Sequence, residues 1–417
     1  MIIGIDDTDS KKGMCTTYLG ALIIEGLSKY GKVYENPLLI RLNPMIPHKT
    51  RGNASIGIRI DTNSPEKVID FVISKIKEFA EMEDKKTNPG VVFIFEKNIS
   101  KEHTVKLVKF FNDAVKTVLS IQDTKNIIEE LGLKSKGFKN GRGLIGALAA
   151  CGAMLDNTWD YTYEYIAYRK LKSCGTKRIV DKDSIYKADH ATYPKTWDTV
   201  DIENNIIVCV PRSPDPVLYG IRGESPEIVQ YAASIIQSEP FERFCVYKTN
   251  QGTDMHLIFV NNISEIENMH SYSIEGVVSS IPTIIQGGHT IFKILDDAGE
   301  EIYCAAYEPT KNFRKIIRKL SIGDRIVVKG SVNKDTLNIE KIEIKSLVNC
   351  FELSNPICPI CNKRMKSKGM KQGYKCKKCK THSNSVIKTE LKRELLIGLY
   401  EVPPSARRHI AKPLIRC

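Results

Sequence analysis

The pattern of apolar and polar positions changes character several times along the chain. Up to about residue 120, apolar runs at Ile2–Ile5, Pro37–Leu42, Ala54–Ile60 and Val91–Phe95 alternate with helical periodicity at Thr16–Tyr30 and Pro65–Met82. Such alternation predicts an α/β unit. A helical pattern at Ile127, Ile128 and Leu131 follows, then a Gly-rich turn from Gly137 to Gly143 that opens an apolar helix. Strand signals at Trp159–Tyr168 and Ile185–Ala188 then suggest a small inserted α+β unit over residues 121–197. Ile206–Val210, a turn at Pro211–Pro216, a helix near Pro226–Gln237 and Phe244–Tyr247 resume the first pattern, so residues 198–268 are expected to rejoin the first unit.

From Tyr272 the period shortens to two. Ile274–Val278, Thr290–Leu295, Glu301–Tyr307, Arg325–Gly330 and Asn338–Ile344 make five strands, with a helical turn marked by Phe313, Ile316, Ile317 and Leu320 between the third and fourth. Five strands with a helix at that place describe an OB-fold, or another small barrel without a ligand.

Composition sharpens this picture at one end only. The 417 residues are 42% hydrophobic and 27% charged, enough apolar content for every domain to bury a core. The net charge is +13, but residues 351–417 carry 16 Lys/Arg against 4 Asp/Glu, leaving about +1 for everything before them. The basic charge is a local device suited to a polyanion. The first seven residues reach Asp6 and Asp7 too soon for a signal-peptide core, and the longest mostly apolar stretch, Leu144–Leu155, is too short to span a membrane. A cytoplasmic protein with no membrane role is expected.

Eight of the twelve cysteines are scattered, while Cys358-Pro-Ile-Cys361 and Cys376-Lys-Lys-Cys379 form two close pairs separated by 14 residues. Each two-residue spacer turns its sulfurs to one point, so four thiolates can surround structural Zn²⁺ as a zinc ribbon; a redox or disulfide pair is the alternative. Lysines crowd the same segment, Lys377 and Lys378 among them, with Tyr374 interleaved. They suit phosphate contacts and base stacking, or simply solvated charge. The last stretch, with Arg407, Arg408 and Lys412 after Pro403-Pro404, could clamp an RNA backbone or fray.

At the other end, Asp6, Asp7 and Asp9 follow an apolar strand directly, at the carboxyl edge where open α/β sheets bind ligands. Three carboxylates in four residues repel one another unless a hard cation sits among them, and Mg²⁺ bridged to a nucleotide is the common answer, although Asp9 and Ser10 could merely form turns. Gly13–Thr17 then opens a helix whose free N–H groups can hold phosphate. Lys49, Arg51, Gly52 and Asn53 make a second phosphate-like loop, and Arg212, Asp215, Arg222 and Gly223 a third.

These residues resemble a family. Gly4-Ile5-Asp6-Asp7-Thr8-Asp9-Ser10, Gly13-Met14-Cys15-Thr16-Thr17, Lys49-Thr50-Arg51-Gly52-Asn53, Gly143-Leu144-Ile145-Gly146-Ala147, Asp215 to Gly223 and Asn250-Gln251-Gly252-Thr253-Asp254 are similar to the archaeal tRNA-agmatinylcytidine synthetases, essentially along the full chain. The resemblance implies an α+β multidomain protein: a kinase-like α/β domain at 1–120 and 198–268, a ferredoxin-like domain at 121–197, an OB-fold at 270–348, a zinc ribbon at 352–385 and a basic C-terminal segment at 386–417. It implies an ATP-dependent ligase that joins agmatine to the wobble cytidine of the CAU anticodon of a minor isoleucine tRNA, so that AUA is decoded.

In that chemistry ATP converts the poorly leaving cytosine 2-oxygen into a phosphoryl ester, the agmatine amine displaces that phosphorylated oxygen, and ATP ends as AMP with phosphate released. The resemblance assigns Thr16 to phosphorylation, and the reading of the residues themselves gives Asp6, Asp7 and Asp9 to Mg²⁺ and ATP, Asp215 to a second carboxylate, and Lys49, Arg51 and Arg222 to phosphate charge. Charge and cation–π logic add Asp160 and Glu164, near Trp159, Tyr161 and Tyr163, as candidates for the agmatine guanidinium. The competing readings are a non-enzymatic single-strand nucleic-acid-binding protein and a tRNA kinase or nucleotidyl transferase without agmatine.

Overall fold

The computed structural model describes every residue except Arg51. The first elements are β1 (Ile2–Asp6), α1 (Thr16–Leu27), β2 (Lys32–Arg41), β3 (Ala54–Asp61), α2 (Pro65–Phe79), β4 (Gly90–Ile94), α3 (Lys101–Lys116), α4 (Ile121–Glu130), β5 (Lys134–Gly137) and α5 (Leu144–Leu155). There follow β6 (Thr162–Tyr168), α6 (Lys182–Thr192), β7 (Thr196–Trp197), a short hairpin of β8 (Val200–Asp201) and β9 (Ile206–Ile207), β10 (Val217–Gly223), α7 (Pro226–Ile235) and β11 (Arg243–Thr249).

One sheet runs β5-β4-β1-β3-β2-β11-β6-β10-β7. Its first half shows why the early strands are almost wholly apolar: both faces are covered. Ile2, Leu38, Ile40, Val92 and Ile94 pack toward a cluster that includes α3 and α5, while Ile3, Ile5, Leu39, Ile56 and Phe93 pack into a second with α1 and α2. Helix α5 is apolar on every side and ten of its twelve residues are buried, which suits a helix enclosed between sheet and α3.

Three expectations change here. Strand β1 lies antiparallel to both β3 and β4, so the carboxylates after it do not sit at the mouth of a parallel sheet. Residues 206–249 do not thread back among the strands of the first unit: β10 and β11 flank β6 antiparallel, and only the parallel pairing of Lys248 and Thr249 with Leu38 and Leu39 joins the two halves. Ile185–Ala188 is helical, inside α6, whose start is fixed by the Asp181 carboxylate accepting from the Ser184 N–H at 2.9 Å.

After β12 (Leu257–Phe259) come β13 (Ser271–Val278), β14 (Thr283–Ile284), β15 (Thr290–Leu295), β16 (Glu301–Ala306), α8 (Phe313–Ile317), β17 (Arg325–Asn333) and β18 (Thr336–Ser346). The five long strands pair in the order β13-β15-β16-β18-β17 and close through β17–β13. Alternate residues such as Thr290, Phe292 and Ile294 point inward, so this closed barrel has its own core. From it, β19 (Cys350–Ser354) and its return partner form a two-stranded stalk carrying a small sheet of β20 (Lys366–Ser367), β21 (Tyr374–Lys375) and β22 (His382–Ser383). The return strand is β23 (Ile387–Leu391), and β24 (Gly398–Glu401) then pairs with β18. No helix among the described residues is long and apolar enough to cross a membrane.

Candidate active site and zinc centre

A cavity of about 990 Å³ opens between the halves of the large sheet. Asp6, Asp7, Asp9, Thr16, Lys49, Glu164, Asp215 and Arg222 all line it, brought together from stretches more than 200 residues apart. Two glycines make the close packing possible. A Cβ at Gly4 would lie 1.9 Å from the Ala147 carbonyl oxygen, and one at Gly146 would lie 2.0 Å from Asp6 Oδ2. Helix α5 therefore presses directly on β1 and on the first carboxylate.

Asp6 accepts from the Asp7 N–H at 2.7 Å, and burial, helped by the charge of Asp7, drives its carboxyl well above the ordinary carboxylate range. Asp7 stands at φ 58°, a left-handed conformation that Asp tolerates, and burial lifts its pKa to about 6 against the pull of Arg142. Arg142 donates from Nε and Nη2 to Asp7 Oδ2 at 3.2 and 2.8 Å. This partner was not foreseen: it lies 135 positions away, in the Gly-rich turn whose glycines had drawn attention instead. Asp6, Asp7 and Asp9 line the cavity together but do not form a close three-ligand group in this structure, where Arg142 occupies Asp7 Oδ2. The Thr16 hydroxyl, buried at the start of α1, accepts from the Thr8 hydroxyl at 3.1 Å.

Facing these groups is a cationic wall. Arg222 lies 3.4 Å from Glu164 and 3.1 Å from Asp198, and Arg41 lies 3.8 Å from Glu164, whose other hydrogen bond comes from Gln251 at 2.6 Å. Lys49 donates to the Pro44 carbonyl, and its ammonium pKa is lowered by burial and by nearby Arg408. Asp215 is buried and receives Arg178 at 3.2 Å and the Val217 N–H at 2.9 Å. Arg51, the remaining phosphate candidate, lies outside the described residues.

The two agmatine candidates separate. Glu164 and Ile166 face the cavity, whereas Asp160 lies outside it, paired with Arg416 at 3.1 Å and Lys412 at 3.7 Å. Strand alternation explains the aromatics too. Tyr161 and Tyr163 are odd-numbered like Trp159 and form an edge-to-face ladder with it, away from Glu164.

The C-terminal segment is not frayed. Arg407 is almost fully buried, bonded to Asp198 and 2.6 Å from Glu401, so the expectation that it grips RNA is corrected to an internal ion pair. Arg408 reaches Glu340 at 2.8 Å, and Lys412 is held by Asp160. Both are more exposed than Arg407, yet their charge is also met inside the molecule. Residues 408–410 line the cavity, which position at the chain end had not suggested.

Outside the cavity lining, the sulfurs of Cys358, Cys361, Cys376 and Cys379 all lie within 4.8 Å of one another, the one such group of three or more potential ligands among the described residues. Cys358 and Cys376 are buried with Met365 in a core too small to hold a fold alone, and four convergent thiols fit tetrahedral Zn²⁺. Lys377 and Lys378 stand exposed on the turn between the last two cysteines.

Together these features define an α+β multidomain protein with a cavity lined by facing carboxylates and cations, a closed five-stranded barrel and a zinc ribbon. The models of the TiaS TCKD domain, the TiaS FLD domain and the TiaS C-terminal zinc ribbon domain match residues 2–140, 141–256 and 355–395. The tRNA(Ile2) 2-agmatinylcytidine synthetase TiaS of Methanosarcina acetivorans is 60% identical over all of this chain and 97% of its own length; that of Methanocaldococcus jannaschii is 44% identical over 99% and 98%. A crystal structure of a TiaS-tRNA(Ile2)-ATP complex superposes with a TM-score of 0.92 at 45% identity, covering 100% of this chain and 97% of that one. A TiaS-tRNA(Ile2)-AMPCPP-agmatine complex gives 0.89 at 43%, with the same coverage of both chains. The chain belongs to the tRNA(Ile2) 2-agmatinylcytidine synthetase family.

Proposed function

We infer that this protein ligates agmatine to the 2-position of the wobble cytidine in the CAU anticodon of a minor isoleucine tRNA, at the expense of ATP. The observation that carries the reading is the single cavity in which paired carboxylates, the N-terminus of α1 and the cations Lys49, Arg41 and Arg222 face one another. A merely nucleic-acid-binding protein has no use for that arrangement.

The chemistry asks three things of these residues. Nucleotide phosphates need positive charge and N–H donors, which the cationic wall and the start of α1 supply. Asp6 and Asp7, each raised by burial, would be relieved by a cation, and their hard oxygens fit Mg²⁺ carried in with ATP. Thr16 stands at the helix start, where its hydroxyl could take a phosphoryl group. In the coupling step the amine nitrogen bonds to C2 as the C2–O bond breaks, and the phosphate leaves with that oxygen. Of the two agmatine candidates only Glu164 faces the cavity, and its charge is already shared by Arg41 and Arg222, so holding a guanidinium there requires one of them to move.

We read residues 1–140 as the kinase-like unit, the β6-β10-β11 sheet with α6 and α7 as the ferredoxin-like one, and the 1-2-3-5-4 strand order of the barrel as that of an OB-fold. Zn²⁺ on the four cysteines would fold the ribbon and present its lysines to the tRNA backbone. The test is ATP cleavage to AMP by the purified chain: it should require both tRNA and agmatine. Turnover with tRNA alone, unchanged by amine, would favour a tRNA kinase.

A further inference from the structure

His409 enters the cavity from the opposite end of the chain. The segment that carries it is strapped to the loop after β11 by main-chain bonds from the Gly252 N–H to His409 at 2.9 Å and from the Thr253 and Asp254 N–H groups to Ile410 at 3.1 and 3.0 Å. The ring lies beside Gly52, its Cδ2 only 3.5 Å from where a Cβ there would stand, and Arg222 donates to its Nδ1. A guanidinium carries donors only, so the Nδ1 lone pair is consumed and the ring proton must sit on Nε2. The residue itself is exposed; desolvation by the protein around the ring, with the charges of Arg222 and Arg41, holds the imidazole pKa well below its ordinary value, in keeping with the neutral ring that the Arg222 bond requires. Nε2 has no hydrogen-bond partner among the described residues, although the ring borders open cavity space.

We propose that His409 is a substrate-contacting residue whose Nε2–H donates to a phosphoryl oxygen, so that the segment strapped to the loop after β11 completes the active site. The surroundings select the acceptor. Arg41 and Arg222 flank the ring, and an anionic oxygen is drawn to that place while an ammonium is repelled. A base is excluded by the same bond that orients the ring. The proposal rests on the cavity being the phosphoryl-transfer site argued above. The oxygen can belong to the nucleotide or to the phosphorylated cytidine.

The test compares full-length His409→Phe, which keeps the ring and loses both nitrogens, with His409→Gln, whose amide N–H reaches near the Nε2 position. In assays with ATP, tRNA and agmatine, the Phe variant should lose about 100-fold in agmatine incorporation, the usual cost of one such donor, with Gln recovering to within about tenfold of wild type. A contact to ATP slows AMP formation and raises the KM for ATP. A contact to the pyrimidine phosphate leaves AMP formation intact and lets phosphorylated, unaminated tRNA accumulate. The Gln variant should keep the wild-type pH profile. Wild-type kinetics in the Phe variant, or loss of one limb of the pH profile in the Gln variant, would overturn the proposal. A wild-type chain without tRNA-dependent ATP cleavage would instead remove the underlying reading together with it.

Discussion

The zinc ribbon and the C-terminal segment carry the same sign of charge and use it in opposite ways. In the ribbon, no lysine from Lys363 to Lys380 forms a salt bridge among the described residues, and Lys377 and Lys378 project into solvent. In the segment, Arg407, Arg408, Lys412 and Arg416 all meet carboxylates, and Arg407 and Arg416 are nearly buried. A net of +12 over residues 351–417 therefore overstates what is free for a polyanion. Desolvated guanidiniums paired with Asp198 and Glu401 hold the barrel, the second half of the sheet and the cavity in one arrangement, and only hydrated lysines retain charge to exchange for counterions. Deleting everything after residue 350 would remove both devices together, so single substitutions separate them better.

The largest effect should come from the cavity itself. Asp7→Asn is expected to lower agmatine incorporation by roughly 10²–10³-fold while tRNA affinity stays near wild type, because the charge lost faces ATP and Mg²⁺. Filter binding alongside the product assay checks this, and undiminished product would take Asp7 out of the site.

The comparison breaks most cleanly at Arg407. Its replacement by Ala leaves buried Asp198 with Arg222 as its one remaining guanidinium partner and should cost about 1.5–3 kcal/mol in denaturant unfolding. If stability held and only the salt dependence of tRNA binding changed, the segment would be an RNA clamp after all. Cys358→Ser, or chelation, should release one Zn²⁺ per chain and unfold the ribbon locally, leaving the main thermal transition in place. Elemental analysis and calorimetry report the two parts separately. Smaller still, Lys377→Ala with Lys378→Ala should leave stability within about 0.5 kcal/mol but flatten the plot of log affinity against log salt by roughly one to two units.

A separate, pH-dependent effect concerns Asp189, on α6. Burial raises its pKa to about 6 from 3.8, so the native state holds a proton that the unfolded chain has already released between those values. Its contribution to stability is thus present below about pH 4 and lost as pH rises through 6. Asp189→Asn should remove that decline, a gain of about 1–2 kcal/mol above pH 6 for a partly exposed group. A pH-stability curve unchanged by the substitution would show that the group titrates normally.

How far the sequence could be read follows from the range of the forces involved. The barrel was legible strand by strand because its period-two alternation is local, and the cysteine pairs because their spacing is the geometry. Ile185 and Ala188, three apart, suit a helix face as well as a strand, and the deciding signal was the Asp181 cap. Three associations depend on tertiary packing that no local window contains: Arg142 on Asp7, β10 and β11 beside β6, and His409 against Arg222. The same limit explains Asp160 and Glu164. Four residues apart in sequence, they end in different surroundings, because β6 begins between them and Arg416, 256 positions away, captures the first.

The most direct test of the account is the chemistry of the wobble nucleoside. A CAU-anticodon isoleucine tRNA transcript should be incubated with the full-length protein, ATP and agmatine, digested to nucleosides and analysed by mass. The account predicts one cytidine per tRNA, at the wobble position, gaining agmatine with loss of its 2-oxygen, and none when ATP or agmatine is omitted. An unmodified wobble cytidine under complete conditions, or a product that carries phosphate and never the amine, would contradict it.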